Sequence, residues 1–137
     1  MQVKDIWEDS DFESMGWHDA RLYSISFPDD EFRFNLSIDY IFQWDKEGDH
    51  FKFWVSPCDM TFENVSNFKA NVDFRDTMLI FISDLKRSNP RLSPNGKMTI
   101  WDYVIECDNG EISFSATGFE QKVKAQPVLS ETQDLKV

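Results

Sequence analysis

The side chains of this chain that are able to do chemistry are two histidines, two cysteines and a surplus of carboxylates. His18 is followed directly by Asp19 in the run Trp17-His18-Asp19-Ala20-Arg21. A histidine beside a carboxylate is the pairing of a general base with its orienting acid. Neighbouring residues of a strand point to opposite faces, however, so the two side chains are not expected to meet. The expectation is instead that His18 hydrogen-bonds the backbone where a strand begins. Cys58 and Cys107 have no close ligand spacing with each other or with His18 and His50, so no zinc signature is present. In a reducing compartment they read as free thiols in or near the core, with a Cys58–Cys107 disulfide as the open alternative. There is no Walker A loop, no GxGxxG and no GxSxG elbow. The reading is a non-enzyme with no metal and no cofactor.

The carboxylates carry more information. Acidic residues number 25 against 14 basic ones, a net charge of −11, in a chain of 137 residues. Nucleic-acid binding needs a basic footprint and docking on anionic lipid needs the same, so both are excluded as expectations. The acidity is uneven: residues 1–50 hold 13 acids and 4 bases. Two runs fall in expected surface turns, Asp29-Asp30-Glu31 and Asp45 with Glu47 and Asp49. Asp39 is expected on the polar face of a strand, beside Arg33 and Gln43. Neither turn has EF-hand spacing, so calcium is not expected. A field of this sign speeds encounter with a basic protein partner, and these seven residues are the candidate contacts. The plainer alternative is that the charge only confers solubility.

These residues have to be positioned by strands. In the stretch 31–44, Phe32, Phe34, Leu36, Ile38, Tyr40, Phe42 and Trp44 occupy every even position. Period two over this length means a long strand with one buried face. Residues 19–27 precede it as a strand with Tyr23, Ile25 and Phe27 on one side, and the two form a hairpin through Pro28-Asp29-Asp30. His50 to Val55 follows as a strand that Pro57 interrupts. Short alternating runs come at 60–65 and 69–74. Segment 78–87 fits a helical stripe or a buried strand, and its neighbours favour strand. Residues 88–97 read as a loop. Asn109-Gly110 reads as a two-residue hairpin turn, because both positions favour φ > 0. Pairing Asp108 with Glu111 would then set Cys107 against Ile112, Ile105 against Phe114, Tyr103 against Ala116 and Trp101 against Gly118. Ser10 with Glu13, and Ser130 with Gln133, are helix-start signals near the termini, and Asp76 or Thr77 would cap the helical reading of 78–87.

The fold class expected is all-β, a mainly antiparallel sheet closed into a sandwich or barrel, with at most short helices near the termini. It forms one domain over residues 1–137. The N-terminus has no apolar leader core and no stretch reaches a membrane-spanning length, which points to the cytoplasm. The aromatics, 13 Phe, 5 Trp and 3 Tyr, fill a core or line a ligand cavity. The second option makes a small-molecule-binding β-barrel the alternative function.

Several residues together carry a resemblance. They are His18-Asp19-Ala20, Asp39-Tyr40 with Trp44, Phe53 to Pro57, Phe62-Glu63-Asn64-Val65, Trp101, and Gly118-Phe119 with Gln121, Pro127 and Gln133. In these the chain resembles a group of small, acidic, β-rich bacterial proteins, broadly similar to immunity proteins encoded beside polymorphic toxins. The resemblance spans about residues 15–135 and brings no catalytic residue. It implies a cytoplasmic protein that binds and blocks a cognate toxin.

Overall fold

Alternating residues dominate the chain, and strands accordingly make up most of the structure. It is a computed structural model that describes residues 1–135. The strands are β1 (Ile6–Glu8), β2 (Ala20–Ser26), β3 (Phe34–Glu47), β4 (His50–Phe62) and β5 (Ser66–Val72). They continue as β6 (Ile80–Leu92), β7 (Thr99–Cys107), β8 (Gly110–Ala116), β9 (Phe119–Val123) and β10 (Val128–Ser130). All lie in one antiparallel sheet with the order β1-β9-β4-β3-β2-β6-β7-β8-β5, and β10 lies alongside β4. Among the described residues helix is confined to a 3₁₀ turn at Asp9–Ser14. The fold is all-β, as the sequence implies. Among the described residues no helix is long and apolar enough to cross a membrane.

The sheet folds over so that its apolar face meets itself. Phe34, Leu36, Ile38 and Tyr40 of β3 are buried with Met60 and Phe62 of β4. Tyr103 and Ile105 of β7 and Ile112, Phe114 and Ala116 of β8 close on them from the other half. The halves meet through rings: Phe62–Phe114 centroids are 4.7 Å apart, Phe62–Tyr103 5.1 Å and Phe34–Phe114 5.3 Å. These are edge-to-face contacts, the arrangement the ring quadrupole favours. The 3₁₀ turn closes one end. The Arg87 guanidinium lies between the Phe12 and Trp101 rings, 4.2 and 4.1 Å from their centroids, and pairs with Asp9.

Two bulges decide which side chains are inside. In β3 the register moves between Ile41 and Gln43, so Phe42 is an extra residue and the even face rotates out of the core beyond it. The buried stripe runs over Phe34 to Tyr40, while Phe42 is half-buried and Phe32 and Trp44 are exposed. In β2 the register moves between Leu22 and Ser24, so Tyr23 is extra. Tyr23 faces away from the core and does not share a face with Ile25, contrary to simple alternation.

Three further elements differ from the expectation. Pro57 does not interrupt β4. Its carbonyl accepts from Lys124 N at 2.9 Å, and the N–H and C=O of one strand residue point the same way. The missing N–H therefore falls between the end of β9 and the start of β10, where no ladder bond is needed. Segment 78–87 is strand from Ile80, and β6 continues through 88–92, where a loop was expected. β7 supplies partners there, Ser88 to Asp102, Arg91 to Ile100 and Leu92 to Thr99, while a bulge takes up Asn89 and Pro90. The 3₁₀ turn is capped by Glu8, whose N–H donates to Asp11 at 2.9 Å, two residues before the Ser10–Glu13 signal.

The β7–β8 hairpin turns one residue earlier than Asn109-Gly110. Cys107 pairs with Gly110 and Glu106 with Glu111, leaving Asp108 and Asn109 as the turn. Ile105 then faces Ile112, Tyr103 faces Phe114 and Trp101 faces Ala116. Each partner is displaced by two residues, which keeps every side chain on its expected face. Gly110 serves a different purpose. Its φ is +149°, and a Cβ would stand 2.0 Å from the Asn71 carbonyl oxygen of β5, which runs alongside.

Two expected outcomes follow from this arrangement. Leu36→Ala or Ile38→Ala should cost roughly 2–5 kcal/mol in chemical denaturation, the range for emptying a packed site. Gly110→Ala should cost roughly 1–3 kcal/mol through backbone strain. An unchanged thermal midpoint for Gly110→Ala would mean that β5 does not lie against the hairpin.

Candidate functional site

Several of the resemblance residues, His18, Asp19, Tyr40, Trp44, Gln121 and Gln133, meet at the corner where the chain enters β2. The Trp17 indole is buried and donates to Gln121 Oε1 at 2.9 Å, which ties this corner to β9. Gly16 N donates to the Tyr40 hydroxyl at 3.0 Å. Asp19 N donates to the Ile82 carbonyl at 2.8 Å, and Asp19 takes a left-handed φ of +66° just before β2 starts. That conformation overturns the expectation that His18 and Asp19 stay apart. Alternation does not apply to a left-handed residue, and His18 Nε2 stands 3.5 Å from Asp19 Oδ2. The backbone contact expected of His18 is present: Nδ1 donates to the Ser83 carbonyl at 3.0 Å. The ring also stacks on Trp44 at 6.2 Å, and Gln133 donates to Asp19 at 3.5 Å. The ring is thus held by its Nδ1–H on the Ser83 carbonyl and by stacking on Trp44, with Nε2 beside the Asp19 carboxylate, which is the geometry of a corner clamp.

Asp39 lies behind this corner and is not a surface residue. It is 0% exposed, whereas the odd face of β3 was expected to be solvated. The physical reason is the C-terminal segment, which lies over that face. Leu135 N donates to Asp39 Oδ2 at 2.7 Å, and the Tyr23 hydroxyl donates to the same oxygen. Arg21, directly across the ladder from Asp39, donates to Asp134 at 3.3 Å and stacks on Tyr23. Arg21 and Asp134 belong to this cluster but were not singled out in the sequence, because nothing in the local pattern announces a tail that returns from far along the chain. Asp39 is therefore removed from the set of partner contacts.

Of the remaining acids, Asp29, Asp30, Glu31 and Asp49 sit at turns, whereas Asp45 and Glu47, expected in a turn, belong to β3, because its ladder with β4 runs on to Glu47 and His50. Asp29 organises the β2–β3 turn: its carboxylate accepts from the N–H groups of Glu31 at 2.9 Å and Arg33 at 3.1 Å. The Arg33 backbone bond, followed by that of Glu31 and the Arg33 side chain, holds its pKa below the ordinary value. Asp45 is engaged likewise, accepting from Gln43 at 2.6 Å and the Trp54 indole at 3.0 Å, and these bonds lower its pKa. Glu31 pairs with Arg33 at 3.3 Å and Glu47 with Lys52 at 3.1 Å. Asp30 and Asp49 are exposed and have no ion pair among the described residues. The structure does not bring the two turns together. They cap opposite ends of β3, whose residues 34–47 span roughly 40 Å at ~3.3 Å per residue.

One concave surface stands out chemically. A groove of about 370 Å³ opens between the end of β2 and β5, lined by Leu22, Ile25, Phe27, Ala70, Val72, Phe74, Ile80 and Ile112 with Tyr23 and Ser24. It is apolar and open to solvent. The interior proper is occupied by the ring cluster described above. A second groove of about 380 Å³ lies across β2, β3, β4 and β9, lined almost wholly by small polar and charged residues such as Ser24, Ser37, Thr61 and Lys122. Phe27, expected on one side of its strand with Tyr23 and Ile25, lies just past the end of β2 on the groove's rim.

No family model, curated protein or solved structure matches this chain.

Both cysteines are free, Cys58 buried and Cys107 half-buried. Burial disfavours the thiolate and pushes each thiol up to about 11 from 9.0. Folding thus holds these protons more tightly than the unfolded chain does. Their stabilisation is full below about pH 9 and is lost as pH rises towards 11. Denaturation midpoints measured from pH 8 upwards should fall over that window, and Cys58→Ala should flatten part of the fall. A thiol reagent at pH 8 should label Cys107 slowly and Cys58 only on unfolding.

Proposed function

We propose that this chain is a cytoplasmic, non-enzymatic protein-binding module, an immunity-type inhibitor whose target is a basic toxin. The observation that carries the reading is the acidity of residues 1–50 together with surface carboxylates that the protein leaves without cations, Asp30 foremost. Uncompensated carboxylates on a turn repel one another and are better accommodated against a positive surface. The fold ranks the two turns. A standard interface covers about 800 Å² per partner, a disc roughly 30 Å across, so one partner cannot cover both ends of β3. The Asp29–Glu31 turn adjoins the apolar groove through Phe27 and Pro28, and an interface needs an apolar centre with a polar rim. That end of β3 is the contact surface, and the Asp45–Asp49 tip contributes to the long-range field.

Association rates with the partner purified from the host test this. The on-rate should fall steeply with ionic strength while the off-rate changes little. Asp30→Lys combined with Glu31→Lys should slow capture more than Asp49→Lys, at unchanged unfolding midpoints. Asp29 is left intact in this test because its carboxylate holds the turn together. An on-rate indifferent to salt would reduce the acidity to a matter of solubility.

The apolar groove favours a second reading, a site for a small hydrophobic molecule. Mass spectrometry of extracts from the purified protein, compared with extracts of an Ile25→Glu variant, distinguishes it.

A further inference from the structure

β5 is the last strand of the sheet and among the described residues pairs only with β8, which leaves its other edge bare there. β2 pairs with β6 over Ala20, Arg21 and Leu22 alone. Beyond the Tyr23 bulge, the side of β2 turned away from β3 has no partner strand either. These two bare edges face each other across the apolar groove, with Ile25 and Phe27 on one bank and Ala70 and Val72 on the other. The seam is bounded at one end by the Leu22–Ile80 pair and at the other by Val65 N donating to the Phe32 carbonyl at 2.8 Å. Large apolar residues stand exposed around it, Phe27 at 72%, Phe74 at 43% and Met78 at 79%.

Both ends of the seam are acidic. Asp29, Asp30 and Glu31 stand beyond Phe27, with Arg33 as their cation. Asp73, Asp76 and Asp108 line the hollow beyond Phe74, with Arg75 as theirs. Asp30 and Asp76 have no ion pair among the described residues. Lys69 alternates to the other face of β5 from Ala70 and does not enter the groove.

We propose that the seam between β2 and β5 receives an extended segment of the basic partner, with two apolar side chains, two residues apart, lowered into the groove and Lys or Arg on either side. This rests on the basic-partner reading above and assigns it a site. An extended segment meets each demand in turn. Its backbone offers donors and acceptors to both bare edges, which a small apolar molecule does not. Its alternate side chains fall on one face about 7 Å apart, matching a groove that runs along the strands. Its flanking cations meet the carboxylates at the two ends.

The probe is a capped synthetic peptide, Lys-Arg-Ile-Thr-Ile-Arg-Lys, beside a version with both Ile replaced by Ala. Binding is followed by calorimetry and by amide hydrogen exchange on the full chain. The Ile peptide should slow exchange roughly tenfold along Ser24–Ser26 and β5. The Ala peptide should bind at least tenfold more weakly. Asp30→Lys with Asp76→Lys, both on the surface, should weaken the Ile peptide by a similar factor without moving the unfolding midpoint. Equal binding of the two peptides, or exchange protection elsewhere on the chain, would overturn the proposal. So would laurate filling the groove while the peptide protects no amide. If the purified partner still associates in a salt-dependent way but ignores Ile25→Glu and the Asp30/Asp76 reversal, the seam assignment fails while the basic-partner reading stands.

Discussion

The contact on which the rest depends is the meeting of Phe34 and Phe62 with Tyr103 and Phe114. A single antiparallel sheet has an apolar face and no second layer to cover it, so the sheet has to fold over on itself. β2 is the strand through which the two halves are hydrogen-bonded, since it pairs with β3 on one side and β6 on the other. It cannot follow both halves over its full length once they turn to face each other. The Tyr23 bulge is where it stops trying: before it β2 belongs to both halves, after it to β3 alone. A bulge adds twist, which helps the sheet to turn over. The open seam is thus a geometric consequence of the fold-over that makes the core.

The outer face of the same strands poses the opposite problem, because a carboxyl is buried there. Burying a charged group costs several kcal/mol unless it is paired and hydrogen-bonded. Asp39 Oδ2 receives a hydroxyl from Tyr23 and a backbone N–H from Leu135, while Oδ1 has no hydrogen-bond partner among the described residues and Arg21, across the ladder, pairs with Asp134 instead. The bulge that opens the seam also swings Tyr23 to this face. Leu135 packs with Ile41, Phe53 and Val55 into a small second apolar cluster. The C-terminal segment is therefore held by polar and apolar contacts side by side. Its partners lie far along the chain, so its docking depends on β2, β3 and β4 being already in register.

What could be read from the sequence follows the range of the interaction responsible. The β3 stripe was legible because period two is a local property, and its burial from Phe34 to Tyr40 agrees. Its ends were not, since a bulge is set by the partner strand. The β7–β8 hairpin shows the same division. Its faces were legible from alternation, while its turn was misplaced because the glycine answers to β5 and not to the turn. Pro57 looked like a break because its missing N–H was counted without knowing which side it faced. His18 and Asp19 looked separate because alternation was extended to a residue outside the strand. Of the candidate contacts, Asp29, Asp30, Glu31 and Asp49 lie at turns as expected, while Asp45 and Glu47 are strand residues, since the pairing of β3 with β4 carries the ladder on to Glu47. Asp39 is not at the surface expected of it, because the segment covering it is remote in sequence. The groove had no signal at all, being made by residues from four separate strands and the loop beyond β5.

Charge and groove are more than neighbours. Two bare strand edges beside an apolar hollow are a hazard, since a second copy offers the same edges and the same hydrophobic rim. Proteins commonly blunt such edges with charge or irregularity, and β5 does have a bulge and a lysine. The acids at both ends of the seam act over a longer distance. A copy approaching edge to edge would bring Asp30 and Asp76 towards their own counterparts, with the whole molecule at −11 opposing the approach. Like-charge contact costs most where water is squeezed out, which is where pairing would occur. A basic segment meets none of that repulsion and gains what the copy loses. On the proposed reading, carboxylates that oppose the pairing of two copies would also favour a basic segment, so that one set of charges would serve discrimination in both directions.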